Sequence, residues 1–390
     1  MKLLIICSTL DLKYRLGCTP SWWQLFKAFH ESGHDVITVP FLGDPVESLW
    51  WRTYPNPCAL ESKAYNSVLA CGKMLGISML SGRTKRDAKK QSIPTQHIQK
   101  KWSSAIRKIL AKEENIGAVL FISVPIPYIS GIAEKVRTEF QIPVLFFEGD
   151  MPIALPQYVE SSGYKFSYYT DADLSEFDAF FTNSKGVIPE LAELGARNIH
   201  PLYYAVDPQL FQYVGVEKEI DISFFGYGTG FRETWIKTMI TGASRKMTDA
   251  RFVVGGRDMG RDLGRAEFAG DLSYSAFRDF CCRSRICLNI TRASHASVSA
   301  SSSARPFELA AFGACIVSNP CEGLGEWFET GKEIIVVKDQ DDAIKWYTDL
   351  LQSEDLRLKI GDAARKRVLK DHTWDLRTDQ MVSIIRRLAV

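Results

Sequence analysis

Short apolar runs rich in β-branched residues alternate with amphipathic helical patterns along most of this 390-residue chain. In the first half, such runs lie at 3–7, 35–40, 118–124, 144–147 and 179–182. The alternation restarts near Ile222, with runs at 222–225, 252–254, 286–290, 315–317 and 334–337. Each half therefore predicts right-handed βαβ units and a parallel sheet with helices on both faces. We expect two successive α/β domains, joined near 204–219, where Asp207-Pro208 breaks the periodicity.

Charge and hydropathy exclude several classes of protein. The 48 basic and 46 acidic residues leave a net charge of only +2, which argues against a nucleic-acid-binding protein. No apolar run approaches the ~20 residues that span a bilayer. The apolar start at 1–7 is followed directly by Asp11 without a small-residue cleavage site, so it predicts a buried strand rather than a signal peptide.

The cysteines and histidines show no metal-binding spacing. Nine cysteines is an odd number, and Cys281, Cys282 and Cys287 lack both a Cys-x-x-Cys spacing and a histidine at ligand distance. We therefore expect no metal, no cofactor and a reducing cytoplasmic compartment.

One long stretch does not fit the alternation. Residues 43–100 carry Trp50 and Trp51 and are interpreted as an insertion, whose end at 83–90 is basic, as is the pattern that follows to Lys112. A solvated helix face explains these charges. The alternative is a site for an anionic lipid or acceptor, which would place the protein peripherally at the inner face of a membrane.

The segment 294–326 carries the strongest signal for chemistry. A serine-rich stretch leads into Arg305-Pro306-Phe307-Glu308 and an apolar helix, and proline suits the first helical position. Free backbone N–H groups, a positive helix end and Arg305 would suit a diphosphate. Glu308 could accept two hydrogen bonds from a ribose diol, as acidic residues do in dinucleotide folds. The alternative is a flexible linker, with Glu308 only complementing the helix dipole.

Two glycine clusters follow strands of the same predicted sheet. Gly226 to Gly230 precede Arg232, which could hold phosphate oxygens, and Gly255-Gly256-Arg257 end the next strand. Each cluster alone could be an ordinary turn. However, ligands in such folds bind beyond the carboxyl ends of the strands. The convergence of these two clusters and the segment 294–326 at one sheet edge therefore favours a ligand site.

The second half resembles group 1 glycosyltransferases of the GT-B fold, especially the spore-maturation-type branch. The resemblance covers ~180 to ~375 and rests on 305–314, Ile316-Val317-Ser318-Asn319, Gly323-Leu324-Gly325-Glu326 and Gly331-Lys332-Glu333. It implies two Rossmann-like domains facing across a cleft. These would be 1–205 on the acceptor side and 206–372 on the nucleotide-sugar side, with 373–390 as a helix crossing back.

The resemblance also implies roles for individual residues. Glu308 would bind the donor ribose, and Arg305 and Gly228 would lie beside the diphosphate. Gly256 and Arg257 would flank the base, while Gly325 and Glu326 would lie near the sugar. Arg305 and Arg232 together would stabilise the leaving diphosphate without a metal.

The sequence departs from retaining members of the family at one position. Many carry a glutamate eight positions before the ribose ligand, and that position here is Ala300. An inverting enzyme would instead need a base in the N-terminal domain. Asp150 is the preferred candidate, with Asp11 and His97 as others and a turn-forming Asp150 as the simpler interpretation. A retaining enzyme would let the donor phosphate accept the proton.

The acceptor side is less clearly marked. Trp22 and Trp23 open the first helix and could stack on sugar rings, although tryptophans at such positions are usually core.

From the motifs and the resemblance together, we expect a metal-independent glycosyltransferase acting from a nucleotide-sugar donor onto a glycan, lipid-linked or small-molecule acceptor. The alternatives are a nucleotide-sugar 2-epimerase and a non-catalytic nucleotide- or glycan-binding protein.

Overall fold

The first half of the chain folds into a seven-stranded parallel sheet. The computed structural model describes residues 1–11, 21–61, 92–158, 168–169, 172–228 and 231–388, so most of the predicted insertion, 62–91, lies outside it. The strands are β1 Lys2–Thr9, β2 Asp35–Leu42, β3 Arg52–Thr53, β4 Ile116–Ile122, β5 Val144–Glu148, β6 Ala179–Thr182 and β7 Ile199–Pro201. Their order is β3-β2-β1-β4-β5-β6-β7. The helices are α1 Ser21–Glu31, α2 Ser92–Lys112, α3 Ile132–Phe140 and α4 Ile188–Glu193.

The second half repeats this plan with six parallel strands. They are β8 Ile220–Tyr227, β9 Phe252–Arg257, β10 Glu267–Gly270, β11 Ser284–Asn289, β12 Cys315–Ser318 and β13 Ile335–Val336, in the order β10-β9-β8-β11-β12-β13. Helix α5 Glu233–Ile236 continues through a π-helical turn, Lys237–Gly242, into α6 Ala243–Lys246. The remaining helices are α7 Tyr274–Cys282, α8 Ala293–Ala296, α9 Ala304–Ala311, α10 Gln340–Gln352, α11 Glu354–Asp371 and α12 Trp374–Leu388.

Alternate residues of β1 enter two different hydrophobic cores. Leu4 and Ile6 pack on one side of the first sheet, and Leu3 and Ile5 on the other. A strand buried on both faces must be apolar at every position, which explains the uninterrupted run in the sequence. The predicted α/β fold with two parallel sheets is thus confirmed.

The last helix returns to the first half of the chain. Trp374, Met381 and Ile385 share a buried core with Leu25 and Phe29 of α1. The chain therefore crosses between the halves twice, and the crossings lie side by side. The backbone N–H of Val206 donates to the carbonyl of His372 at 3.1 Å, and that of Trp374 donates to Val206 at 3.2 Å.

The secondary structure differs from the sequence prediction at short edge elements and helix starts. Strands β3, β7 and β10 were not predicted, because runs of two to four residues carry little periodicity. Helix α9 begins at Ala304 rather than at Pro306, so the proline lies inside the first turn. Proline is tolerated there because the first N–H groups of a helix have no partner within it.

Candidate active site

A cleft of about 630 Å³ lies where the carboxyl ends of the two sheets face each other. Its lining includes Thr9 at the end of β1, Glu148 at the end of β5, Tyr227 at the end of β8 and Ile290 directly after β11. Strand ends of this kind are where open α/β sheets bind ligands. A second hollow of about 560 Å³, between His34 and α12, lies at the opposite, amino edge of β2. The cleft is therefore the candidate site.

Arg232 carries a positive charge into the cleft, and no carboxylate among the described residues pairs with it. Within the described part of the chain, its Nε donates to the carbonyl of Ile290 at 2.5 Å and its Nη1 to that of Tyr227 at 3.2 Å. Burial, together with repulsion from Arg292 and Arg305, lowers the pKa of Arg232 to about 9. Desolvation and neighbouring cations both disfavour a charged guanidinium, so its presence here indicates a site completed by an anion.

Arg305 lies in the cleft but is committed to Glu308. Its Nη1 donates to Glu308 Oε2 at 2.9 Å, and its guanidinium stacks on Phe277, with 4.3 Å to the ring centroid, close to Phe225. Glu308 is 3% exposed, and burial raises its pKa while Arg305 opposes that shift. This arrangement aims a carboxylate into the cleft and makes Arg305 the group that orients it.

The glycines and Arg257 predicted to contact the donor do not line the cleft. A Cβ on Gly228 would lie 2.7 Å from the Asp258 carbonyl, and one on Gly256, where φ is +120°, would overlap the carbonyl of Gly226. Both glycines are thus required by the close packing of the β8 and β9 ends. The Arg257 Nε donates to Asp271 Oδ2 at 2.7 Å, outside the cleft. For these three positions the structure supports a packing role, and their donor-binding role stays a prediction.

Gly325 and Glu326 also lie outside the cleft lining, in the short turn Leu324–Glu326. Glu326 accepts hydrogen bonds from Lys185 Nζ at 2.6 Å and from the Tyr203 hydroxyl at 3.1 Å. The hydrogen bond from Lys185 lowers the pKa of Glu326. The carboxylate thus connects the two halves of the chain.

The serine-rich stretch is an ordered clasp between the halves, not a flexible linker. Ser301 and Ser302 are buried, and the hydroxyls of Ser184 and Ser301 share a hydrogen bond at 2.6 Å. The Gly186 N–H donates to the Ser299 carbonyl at 2.8 Å. The small side chains permit this approach, and the clasp fixes the start of α9, which carries Arg305 and Glu308.

The two predicted acceptor tryptophans have different surroundings. Trp22 lines the cleft, beside Gly149 and 5.4 Å from the Phe147 ring centroid. Trp23 packs edge-on against Trp51, at 4.6 Å between ring centroids, and is not part of the cleft lining. Only Trp22 is placed to contact a ligand in the cleft.

Asp150 faces an arginine and a histidine across the cleft. Its Oδ1 lies 3.7 Å from Arg292 Nη1 and 3.9 Å from His295 Nε2, both from the second half of the chain. Asp11 also lines the cleft. His97 lies outside it on α2, where its Nε2 is 3.1 Å from Glu61 Oε1, so the structure does not support His97 as a base.

Sequence reasoning missed several residues that line the cleft, and the four with most bearing on its chemistry are Ser123, Glu148, Arg292 and His295. Each follows or ends a strand at the ligand-binding edge, and that position was the signal available for finding them. Burial, with Arg292 and Arg232, holds the pKa of His295 well below its ordinary value, so the imidazole is neutral.

The described residues contain no group of three or more His, Cys, Asp or Glu side chains arranged to hold a metal. Within the same residues, no helix is both long enough and apolar enough to span a membrane.

Comparisons with known proteins agree with this geometry. Residues 232–383 match the family model described as glycosyl transferase-like. Sucrose-phosphate synthase from Thermosynechococcus elongatus has the same fold over 100% of this chain and 99% of its own, with a TM-score of 0.67 and 14% identity. HepE from Anabaena, solved in complex with UDP, covers 99% of this chain and 100% of its own, with a TM-score of 0.61 and 9% identity.

A glycosyltransferase from Rickettsia africae also superimposes over 99% of this chain and 98% of its own, with a TM-score of 0.61 and 13% identity. No curated protein matches the sequence. The spore-maturation branch stays a prediction. The chain thus shares the two-sheet fold of these solved structures over almost its whole length, and its second half is similar to the glycosyl transferase-like family.

Proposed function

We propose that this chain transfers a sugar from a nucleoside-diphosphate sugar, held by the second half, to an acceptor bound against the first half, without a resident metal. The observation that carries the proposal is the half-buried positive charge of Arg232, hydrogen-bonded to two carbonyls and close to Arg292 and Arg305. Arg305 pairs with Glu308 and Arg292 lies near Asp150, so a diphosphate supplies the anion for Arg232.

The remaining donor contacts follow from the cleft lining. Glu308 accepts the ribose hydroxyls, and Arg305 holds its carboxylate in place rather than binding phosphate. HepE was solved with UDP-glucose, which supports a donor of this class for the same fold. On the acceptor side, Trp22 offers an aromatic face to a glycan, lipid-linked or small-molecule acceptor.

Membrane contact, predicted from the basic stretch at 83–112, forms no part of this proposal. Its first residues lie outside the described part of the chain. Within α2, Lys101 pairs with Glu61 and Arg107 with Glu139, so these two cations already have partners in the protein.

The direct test is a thermal-shift panel of UDP-glucose, GDP-mannose, dTDP-glucose and ADP-glucose, with and without EDTA. A ligand at ~100 times its Kd stabilises the fold by about 2.7 kcal/mol, which is a readily measured shift. We expect one nucleotide family to raise the melting temperature, unaffected by EDTA. If none does so with folded protein, the donor site is not where we place it. Product analysis then distinguishes sugar transfer from epimerisation.

Glu308 provides a test specific to the ribose. Wild-type protein is expected to bind UDP or GDP about tenfold more tightly than its 2′-deoxy counterpart, because a hydrogen bond to a charged group contributes ~1.5–3 kcal/mol. Glu308→Ala should abolish this preference, and Arg305→Met should reduce it, since that variant releases the carboxylate. Calorimetric titration measures all of these affinities. Retained discrimination in Glu308→Ala would refute the ribose assignment.

A further inference from the structure

Glu148 is an enclosed carboxyl group on the acceptor side of the cleft. It ends β5, is 1% exposed and forms part of the cleft lining. Oε1 accepts a hydrogen bond from the Ser123 hydroxyl at 2.7 Å and one from the Asp150 N–H at 3.1 Å, and Oε2 accepts one from the Tyr169 hydroxyl at 3.1 Å. The side chain is therefore fixed, and it reaches the cleft through its neighbours.

Ser123 lines the cleft beside Glu148 and is the more exposed of the two. Its Oγ accepts a hydrogen bond from the Gly149 N–H at 3.3 Å, so its single proton is the one donated to Glu148. A hydroxyl has two acceptor lone pairs, which leaves one for a further hydrogen bond. Since Ser123 lines the cleft, a hydroxyl bound there can donate to this lone pair.

The backbone at Ser123 is in a conformation that L-residues avoid. Its φ is +47°, directly after strand β4. Positive φ at a residue other than glycine carries strain, and such strain is concentrated at functional sites. The conformation places a hydroxyl, which glycine could not provide, beside the Glu148 carboxylate.

Asp150 is differently engaged. Its Oδ1 points to Arg292 and His295 of the opposite half, at 3.7 and 3.9 Å, so its carboxylate serves the contact across the cleft. The groups that face Glu148 itself are Ser123, Tyr169 and the Asp150 backbone and carboxylate.

We infer that Ser123 and Glu148 form a proton relay that activates the acceptor hydroxyl, in place of direct deprotonation by Asp150. This inference rests on the proposed glycosyl transfer and adds the route of its proton. Ser123 is the catalytic residue that touches the acceptor, and Glu148 acts through it.

The step balances without a further reactant. The acceptor oxygen forms a bond to C1 of the sugar while the bond from C1 to the phosphate oxygen breaks, its electron pair leaving with the nucleoside diphosphate. The acceptor proton moves to Ser123 Oγ as the Ser123 proton moves to Glu148 Oε1. Because the base acts opposite the leaving group, the transfer inverts the anomeric configuration.

The environment of Glu148 suits this task. Burial raises its pKa to about 7, Asp150 adds to the increase, and the hydrogen bonds from Ser123, the Asp150 N–H and Tyr169 oppose it. A base is most effective when its pKa lies near the working pH. Because only the ionised form accepts a proton, activity should rise as the pH increases through about 7.

The test uses hydrolysis of the donor that the four-member panel identifies, with water as the minimal acceptor. Release of the nucleoside diphosphate is the quantity measured. Glu148→Gln and Ser123→Gly should each lower kcat at least 100-fold and remove the rise near pH 7, with the affinity for the nucleoside diphosphate unchanged. Glycine tolerates the positive φ at 123, so the second variant loses only the hydroxyl. The double variant should be no slower than either single one.

Glu176 offers a matched control. It lies in the same half of the chain, and burial also raises its pKa to about 7, opposed by the N–H groups of Gly131 and Ala133. It is not part of the cleft lining. In both Glu148→Gln and Glu176→Gln the melting temperature above pH 7 should increase, because each removes a buried charge. Only Glu148→Gln should change the pH profile of hydrolysis.

The outcomes separate the two proposals. If no panel member binds wild-type protein, the proposed function fails. If a donor binds and is hydrolysed, but Glu148→Gln keeps the wild-type kcat and pH profile, the relay alone is overturned. Retention of anomeric configuration in the product overturns it as well.

Discussion

Replacing Arg232 by glutamine is expected to weaken nucleoside-diphosphate binding about 100-fold. The guanidinium lies in the cleft beside two other arginines, and within the described residues it has carbonyl rather than carboxylate partners. Two charge-assisted hydrogen bonds to phosphate, at ~1.5 kcal/mol or more each, account for a loss of this size. Isothermal titration with the nucleotide that gives the largest thermal shift measures it.

Arg257→Gln is the control for this experiment. Arg257 was also predicted to contact the donor, yet its guanidinium pairs with Asp271 outside the cleft. We expect its replacement to change affinity by less than about twofold, as for a surface ion pair. Equal losses in the two variants, or none in Arg232→Gln, would show that the cleft assignment is wrong.

Replacing Lys27 by methionine is expected to destabilise the fold by about 3–5 kcal/mol. Lys27 Nζ lies 2.7 Å from Asp207 Oδ2, with side-chain exposures of 6% and 7%, and it joins α1 to the first crossing between the halves. Burial acts to lower the pKa of Lys27, but Asp207 and Glu31 outweigh it and raise that pKa. Removing the cation leaves a buried carboxylate without its counter-ion, which is costly.

Lys246→Met gives the comparison at an exposed pair. Lys246 Nζ lies 2.8 Å from Asp341 Oδ1, but the side chains are 56% and 84% exposed. Its loss should cost less than about 1 kcal/mol, because water screens the pair. Chemical denaturation of both variants measures the difference in free energy of unfolding. Similar values would mean that the Lys27 pair is not buried in solution.

The position of the cleft was predictable because it follows from sheet topology. In parallel sheets all carboxyl ends lie on one edge, so clusters such as those at Arg232 and Glu308 must converge once the strands are located. The same rule applied to β5 and β11 would have brought Glu148 and Arg292 into the prediction. The residues next to Glu148 and Arg292 in the sequence did not mark either as functional, because a single polar residue after a strand is common.

The roles of individual side chains were less predictable. Arg305 and Arg257 look alike in sequence, yet one stacks on Phe277 and holds Glu308 while the other pairs with Asp271. Likewise, Trp22 lines the cleft while its neighbour Trp23 packs on Trp51. Adjacent residues on a helix point about 100° apart, so which of them enters a cleft depends on how the helix docks.

The sequence by itself determined the α/β fold with two parallel sheets and predicted a ligand site at the carboxyl edge of the strands, where the cleft lies. These properties follow from local periodicity and from the handedness of βαβ units, which need no long-range information. Only the tertiary structure decided which cleft arginine has carbonyl rather than carboxylate partners among the described residues, and which carboxyl is enclosed at the cleft. The reason is physical: burial and charge pairing depend on groups that are far apart in the chain, such as Ser123 with Glu148 and Asp150 with Arg292.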